Sequence, residues 1–275
     1  MTVVYDLLGY HVAVTASDVT MGRACQSVLA SFAIDSPEAE TAVQSYSVVR
    51  ADDRWHVEAA DRRLHSATDP RAAIAALEWQ LVTDALKHRA DLFHVHAAAL
   101  APPALDGAVV LAGAAGVGKT TLARALMVRG FLPFGDDVTL VDPVSLSVQP
   151  FPRAFHLHES GGGTPDAADP DGLPTYFQPP CWARFPLPVK LILFLVRTAE
   201  REARAVPLGS ADAASSLLRQ SGSLAAAPAH ALATAVRLIA QAPCYRFELG
   251  SPEASAAVVE ALCTGWRSRP LEATA

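Results

Sequence analysis

Eight consecutive residues near the middle of the chain have the spacing of a phosphate-binding loop. Gly113, Gly118, Lys119 and Thr120 match every fixed position of the pattern G-x-x-x-x-G-K-[ST]. In such a loop, backbone N–H groups and the positive end of the following helix bind phosphate oxygens, the lysine adds charge, and the threonine hydroxyl can bind Mg²⁺. The predicted nucleotide-binding residues of this segment are Gly113, Ala114, Ala115, Gly116, Val117, Gly118, Lys119, Thr120 and Thr121.

The segments on either side of the loop are the ones that its geometry requires. Residues 108–112 form an apolar run typical of a buried strand, and residues 121–127 have the pattern of a helix. Gly130 is a suitable C-terminal stop for that helix. Strand, loop and helix together predict an anion site, and the simpler alternative is a glycine-rich turn that happens to begin a helix.

Two adjacent carboxylates follow the predicted helix and directly precede an apolar strand-like segment. They belong to Asp136 and Asp137. Phosphoryl transfer needs a metal ion and a group that accepts the proton of the incoming hydroxyl. We expect one aspartate to hold magnesium with Thr120 and the other, Asp136, to act as the base. The predicted metal ligands are therefore Thr120, Asp137 and Asp136, and the alternative is an acidic pair in a solvated turn.

Histidines and an arginine offer further groups for the same chemistry. His96 lies on the strand predicted just before the loop strand. If these strands pair antiparallel, His96 is close enough to the phosphates to orient the nucleophile or to counter the developing charge. The alternative is a core or edge histidine. Arg153 is predicted to contact a phosphate, with a surface arginine as the alternative. His94 with His96, or His156 with His158, has same-face spacing, so a zinc site is an open alternative.

Composition bounds the class of protein and its compartment. The 275 residues are 51% hydrophobic, which suffices for one large or two modest domains. The net charge is −6 without a basic stripe, so nucleic acid is not predicted as a partner. The four cysteines lie far apart and predict reduced thiols. The N-terminus lacks the segments of a signal peptide, and no apolar run could span a membrane, so we expect a cytoplasmic protein.

The pattern of elements divides the chain at about residue 92. Residues 1–92 predict a small α+β region, in which Asp69-Pro70 begins an amphipathic helix that ends near Lys87. This region carries no catalytic pattern, and we interpret it as a lid, a docking module or an extension of the core. Residues 93–275 predict an α/β domain, with an aperiodic loop at 160–180 and a candidate glycine hinge at 159–163.

The order of these motifs resembles a known family. A His-Ala pair on a strand, a short hairpin, the strand and loop over residues 109–120, Gly130-Phe131 and then residues 135–138 are similar to the HPr kinase/phosphorylase-type P-loop kinases. The similarity is greatest to the smaller HPr-kinase-related proteins, including the lasso-peptide kinases. It covers residues 93–160 well and the rest of the C-terminal half loosely.

The resemblance implies a fold shared with the phosphoenolpyruvate carboxykinases and phosphorylation of a serine hydroxyl with a nucleotide and magnesium. The family's histidine corresponds to His96, its lysine to Lys119, its metal-binding hydroxyl to Thr120, and its acidic pair to Asp136 and Asp137. Related enzymes assemble into hexamers, so a homo-oligomer is an open expectation. The chain has Thr120-Thr121 where the bifunctional enzymes have serine and an acid, and it lacks their Glu-Ile-Arg-Gly-type signature, so phosphorylase activity is not predicted.

These observations predict a kinase of the α/β class with a P-loop core. It would use ATP or another nucleoside triphosphate, with Mg²⁺, to phosphorylate a hydroxyl, with a serine of a protein or peptide as the expected acceptor. Two alternatives stay open: a kinase of a small hydroxylated metabolite, and a nucleotide-binding regulatory module with little turnover. No motif in the sequence selects adenine over guanine.

Overall fold

The computed structural model describes residues 2–34, 44–60, 62–156, 176–198 and 202–264. Within these ranges the apolar segments of the sequence form strands and helices. The strands are β1 (Thr2–Leu7), β2 (Tyr10–Ala16), β3 (Gln44–Ala51), β4 (Arg54–Ala59), β5 (Arg62–Ala67), β6 (Phe93–Val95), β7 (Ala97–Ala101), β8 (Ala108–Ala112), β9 (Leu132–Gly135), β10 (Thr139–Val141), β11 (Ser147–Gln149), β12 (Phe155–His156), β13 (Tyr176–Phe177), β14 (Leu187–Arg197), β15 (Arg204–Pro207) and β16 (Cys244–Leu249). The α-helices are α1 (Val19–Leu29), α2 (Pro70–His88), α3 (Lys119–Val128), α4 (Ser210–Arg219), α5 (Pro228–Gln241) and α6 (Pro252–Thr264).

The elements separate into two units. The first contains Met1–Ala90 and Arg153–Gln178, and the second contains Asp91–Pro152 and Pro179–Ala275. The division predicted at residue 92 differs from this one because the described residues 153–156 and 176–178 belong to the first unit. There Arg153 donates to Glu78 of α2, and Gln178 donates to the Ser27 carbonyl that belongs to α1. The hinge predicted at 159–163, His158, and the predicted loop as far as residue 175 lie outside the described residues.

The first unit is a five-stranded sheet with two helices packed on it. Its strand order is β1-β2-β3-β4-β5, in which β2 and β3 are parallel and the other neighbours antiparallel. The predicted helix start at Asp69-Pro70 is confirmed, since the Asp69 side chain caps α2 by accepting from the Arg71 N–H. The sequence did not predict β5, because its charged residues carry a weak apolar pattern.

The second unit is a mixed sheet around the strands that flank the glycine loop. Its strand order is β6-β10-β11-β14-β8-β7-β9. In addition, β16 pairs with the C-terminal part of β14 and with β15. β8, β14 and β16 are parallel, whereas β7 and β8 are antiparallel, which confirms the pairing expected from the sequence. The strand predicted just before the loop strand is divided at His96, because β6 pairs with β10 whereas β7 pairs with β8 and β9.

Apolar residues cover both faces of this sheet. All residues of β7 and β8 are buried, as expected for strands between two layers. One face packs with α4 and α5 through a cluster that includes Val110, Ile192 and Leu217. Helix α3 contacts β7, β9 and α6. The protein is therefore mixed α/β, and none of the helices in the described part of the chain has the length and hydropathy that a membrane-spanning segment needs.

Candidate functional site

Three strand ends in the second unit bring the candidate residues together. Ala97, the first residue of β7, pairs with Ala112, the last residue of β8. His96 directly precedes β7 and Gly113 directly follows β8, so these two residues lie side by side. Gly135 ends β9 opposite Ala99, which places the following acidic pair at the same edge of the sheet. The register of β7 with its two neighbours therefore assembles residues that are up to 41 positions apart in the sequence.

The glycine loop that follows β8 has a backbone that depends on two of its glycines. Gly116 and Gly118 have φ values of 71° and 121°, a region that residues with a Cβ rarely adopt. Gly118 caps α3, so the helix begins at Lys119 with its first N–H groups at the loop. Ala114, Ala115 and Gly116 are exposed, which leaves this part of the loop accessible from solvent.

Lys119 is buried at the base of the loop, with 4% of its side chain exposed. Its Nζ donates to the carbonyl oxygens of Gly113 at 3.0 Å and Ala114 at 3.3 Å. Burial lowers the pKa of Lys119, and the nearby carboxylates of Asp137 and Asp136 offset part of that effect. The ammonium is thus held in a position where additional negative charge would stabilise its charged form.

His96 connects this lysine to the acidic pair. Its Nε2 lies 2.9 Å from Lys119 Nζ, and its Nδ1 lies 3.1 Å from the carbonyl oxygen of Asp137. An ammonium group only donates and a carbonyl only accepts. We therefore assign the neutral imidazole tautomer, in which Nε2 accepts from Lys119 and Nδ1–H donates to Asp137.

The two aspartates have different surroundings. Asp136 is 1% exposed, and its Oδ2 accepts a hydrogen bond from Thr120 Oγ1 at 2.9 Å. The side chain of Asp137 is 34% exposed, and its Oδ1 lies 3.9 Å from Lys119 Nζ. Asp136 is thus fixed against the start of α3, whereas Asp137 has access to solvent beside the lysine.

Gly135 makes this placement of Asp136 feasible. A Cβ at this position would lie 2.2 Å from the carbonyl oxygen of Phe151, far inside van der Waals contact. The Phe151 N–H donates to the Phe134 carbonyl at 2.9 Å, so these two backbone segments are held against each other. Only glycine fits where the chain leaves β9 and enters the acidic pair.

The pair of Thr120 and Asp136 suits magnesium. Neighbouring ligands of an octahedral magnesium ion, each about 2.1 Å from the metal, lie about 3 Å apart. The separation of the two oxygens, 2.9 Å, agrees with that geometry. The described residues contain no group of three or more His, Cys, Asp or Glu side chains suited to a metal ion, so a bound ion would need further ligands from a nucleotide or from water.

Comparison of the chain with models of known protein families and with curated proteins gives no match. The site is therefore interpreted from its own geometry.

A cleft of about 310 Å³ adjoins the glycine loop within the second unit. Leu122 and Leu249 give it apolar walls, and Thr121, Arg197 and Thr198 add polar groups. Arg197 Nε donates to the Val117 carbonyl at 3.1 Å, which ties the end of β14 to the loop. The remaining lining residues are Val117, Gly118, Gly250, Pro252 and Ser255.

The sequence did not indicate Arg197, Thr198 or Leu249 as site residues. They lie at the carboxyl ends of β14 and β16, far along the chain from the loop. The signal that could have found them is topological: ligands bind beyond the carboxyl ends of parallel strands, and both strands run parallel to β8.

Arg153, predicted to contact a phosphate, lies in the first unit. Its Nε donates to Glu78 Oε1 at 2.8 Å, and His156 Nε2 lies 2.8 Å from Glu78 Oε2. Although burial alone would raise the pKa of Glu78, hydrogen bonds from His156 and Arg153 lower it. We assign Arg153 to this buried ion pair and do not include it among the residues at the loop.

Proposed function

We propose that the second unit is a kinase domain with a P-loop core that binds a nucleoside triphosphate with Mg²⁺ and transfers the γ-phosphoryl group to a hydroxyl, with a serine of a protein or peptide as the acceptor. The observation that carries the proposal is the hydrogen-bonded connection between the glycine loop and the acidic pair. Thr120 donates to Asp136, and His96 links Lys119 to Asp137. Phosphate binding alone needs no acids, whereas phosphoryl transfer does.

The loop and Lys119 would bind the phosphates. The exposed backbone of residues 114–116 and the first N–H groups of α3 supply hydrogen-bond donors and the positive end of the helix. Lys119 adds a point charge in a buried position, where its attraction to a phosphate is screened less, and is therefore stronger, than in water. His96 holds the lysine side chain in place.

Thr120 and Asp136 would hold magnesium, which neutralises charge on the transferred phosphoryl group when bound. Asp136 suits this role because it is buried and already contacts the threonine hydroxyl. Asp137 is the better candidate for the base, because its carboxylate is accessible to an incoming hydroxyl. This assignment reverses the prediction from the sequence, in which Asp136 was the base.

The cleft beside the loop would bind the nucleoside. Its volume of about 310 Å³ lies at the lower end of small-molecule sites. The walls formed by Leu122 and Leu249 suit the faces of a base, while Thr121, Arg197 and Thr198 offer polar groups to a ribose or a phosphate. The cleft directly continues the phosphate cradle, since Gly118 lines both.

The test is transfer of label from Mg-[γ-³²P]ATP to a library of serine-centred peptides, with the same library carrying alanine as a control. We expect label on the serine library only. Lys119→Ala should cost at least about 3 kcal/mol in the barrier, about a hundredfold in rate. Lys190→Ala, which removes another lysine that pairs with Asp106, is the matched control and should transfer normally.

Three results would contradict this proposal. Equal transfer by Lys119→Ala and the wild type would remove the loop from the reaction. A thermal shift with Mg-ATP but no transfer to any hydroxyl would identify a nucleotide-binding module, and transfer only to small metabolites would identify the other acceptor class.

A further inference from the structure

The first unit contains an open cleft of about 620 Å³ that lies between one end of its sheet and the C-terminal half of α2. Residues from the starts of β2, β3 and β5 and from the last turns of the helix line it. Those that the argument uses are Tyr10, Tyr46, Arg62, Asp84, Lys87 and His88. The cleft is larger than one side chain needs, and none of these residues belongs to the site proposed for phosphoryl transfer.

The only carboxylate among the described lining residues is already supplied with donors. Asp84 Oδ2 accepts from Tyr46 at 2.8 Å and from Gln80 at 2.6 Å, and Oδ1 accepts from Lys87 at 2.9 Å. Burial alone would raise the pKa of Asp84, but these hydrogen bonds lower it, so the group is charged and satisfied. Asp84 therefore has little capacity left for a cationic ligand.

At the floor of the cleft, the hydroxyl groups of Tyr10 and Tyr46 form a chain of hydrogen bonds that ends at the Asp84 carboxylate. Burial, with hydrogen bonds to Tyr10 and Asp84, raises the pKa of Tyr46, so its hydroxyl stays protonated. Because that single proton goes to Asp84, Tyr10 donates to the Tyr46 oxygen at 3.2 Å. The ring of Tyr10 also packs against His88, with centroids 5.6 Å apart, which adds an apolar wall.

Basic groups form the rim of the cleft. Lys87 has 69% of its side chain exposed and retains two N–H donors beyond the one given to Asp84. Arg62 is exposed and makes no ion pair with any residue of the described ranges. Arg62 and Lys87 against Asp84 leave the described lining with a net positive charge, in a chain whose net charge is −6.

We propose that this cleft binds an acidic peptide segment, with its carboxylates at Arg62 and Lys87 and its backbone or side chains against Tyr10 and His88. Peptide binding at this cleft does not depend on the proposed function. A role of the cleft in docking the phosphoryl acceptor does rest on the proposed function. A nucleic acid fits less well, because its affinity comes from many phosphate contacts, whereas the cleft offers two permanent cations and a carboxylate at its floor.

The test uses the full chain and fluorescence anisotropy with a labelled hexaglutamate peptide, a hexaserine peptide and hexathymidylate. We expect hexaglutamate to bind best and to weaken as the salt concentration rises. Arg62→Glu/Lys87→Glu should weaken it about tenfold or more. Arg23→Glu/Arg71→Glu changes the charge of the same unit equally with two exposed residues outside the cleft, and should have little effect.

Several outcomes would overturn the inference: unchanged binding by Arg62→Glu/Lys87→Glu, an equal loss in the matched control, equal binding of hexaserine, or tighter binding of hexathymidylate, which would point to nucleic acid. If the charge reversal does not fold, Arg62→Gln/Lys87→Gln serves instead and should also weaken binding. Lys119→Ala should bind hexaglutamate as the wild type does. Normal peptide binding without any phosphoryl transfer would therefore contradict the proposed function alone.

Discussion

Lys119 is a charged residue in a buried position, and its neighbours explain how it is kept there. Two loop carbonyls and the His96 imidazole accept its hydrogen bonds, and two carboxylates lie nearby. Burial nevertheless lowers the pKa of the ammonium. A bound triphosphate would add further negative charge beside the ammonium, so we infer that nucleotide binding and protonation of Lys119 favour each other.

The two aspartates can be distinguished by their dependence on magnesium. Because Asp136 accepts a hydrogen bond from the Thr120 hydroxyl, Asp136→Asn should raise the Mg²⁺ concentration for half-maximal transfer about tenfold or more. Asp137→Asn should lower kcat about a hundredfold without moving the Mg²⁺ curve. Initial rates against Mg²⁺ at saturating ATP measure both effects.

Asp212→Asn, which changes an exposed acid on α4, is the control and should alter neither quantity. The opposite result, in which only Asp137→Asn shifts the Mg²⁺ curve, would assign the base to Asp136 as the sequence suggested.

Most of the candidate site could be predicted from residue types and spacing alone. The loop pattern indicated Lys119 and Thr120 because it occupies one continuous segment, and the acids followed as the nearest pair downstream. Arg197 and Leu249 could not be predicted, because their proximity to the loop depends on the parallel pairing of β14 with β8 and β16. No local pattern records such a pairing.

At the scale of elements, the site depends on how strands end. β8 ends at the loop, β9 ends at Gly135, and His96 occupies the single position between β6 and β7. The sequence predicted the strongly apolar strands and the capped helices, since burial and capping leave local signals. It did not predict the break at His96, because both parts are apolar and only their different partners separate them.

Gly135→Ala tests the close approach at the end of β9. The added methyl group would meet the Phe151 carbonyl at 2.2 Å, and both are backbone positions that cannot rotate away. We expect a loss of about 3 kcal/mol in the free energy of unfolding, together with reduced transfer because Asp136 is displaced. Urea unfolding and the peptide assay measure the two effects.

Gly209→Ala is the matched control, since a Cβ there would have no atom within 4 Å and its backbone is extended. Stability of Gly135→Ala equal to that of the control would show that the contact with Phe151 relaxes without cost.

At the scale of the whole molecule, the two units divide the chemistry between them. The second holds the glycine loop and the acidic pair, and the first holds the buried pair of Glu78 and Arg153 and the cleft with the basic rim. Arg153 and Glu78 are 75 positions apart, so their contact fastens a late segment of the chain to α2. The sequence predicted a phosphate contact for Arg153, because no local pattern indicates its pairing with Glu78.

Arg153→Met should therefore reduce stability and leave nucleotide affinity unchanged. It removes the arginine from the buried Glu78 carboxylate, which keeps its contact with His156. Breaking a buried pair typically costs about 3–5 kcal/mol, so we expect a loss of up to about 3 kcal/mol here, and Glu78→Gln/Arg153→Met should recover much of it by removing the charge as well. The pKa of Glu78 is lowered in the fold, so the pair stabilises the protein at neutral pH, and this contribution disappears as the pH falls through that lowered pKa. Urea unfolding between neutral and acidic pH should show the difference between wild type and Arg153→Met shrinking on acidification. Weaker ATP binding by Arg153→Met at undiminished stability would instead make Arg153 a phosphate ligand.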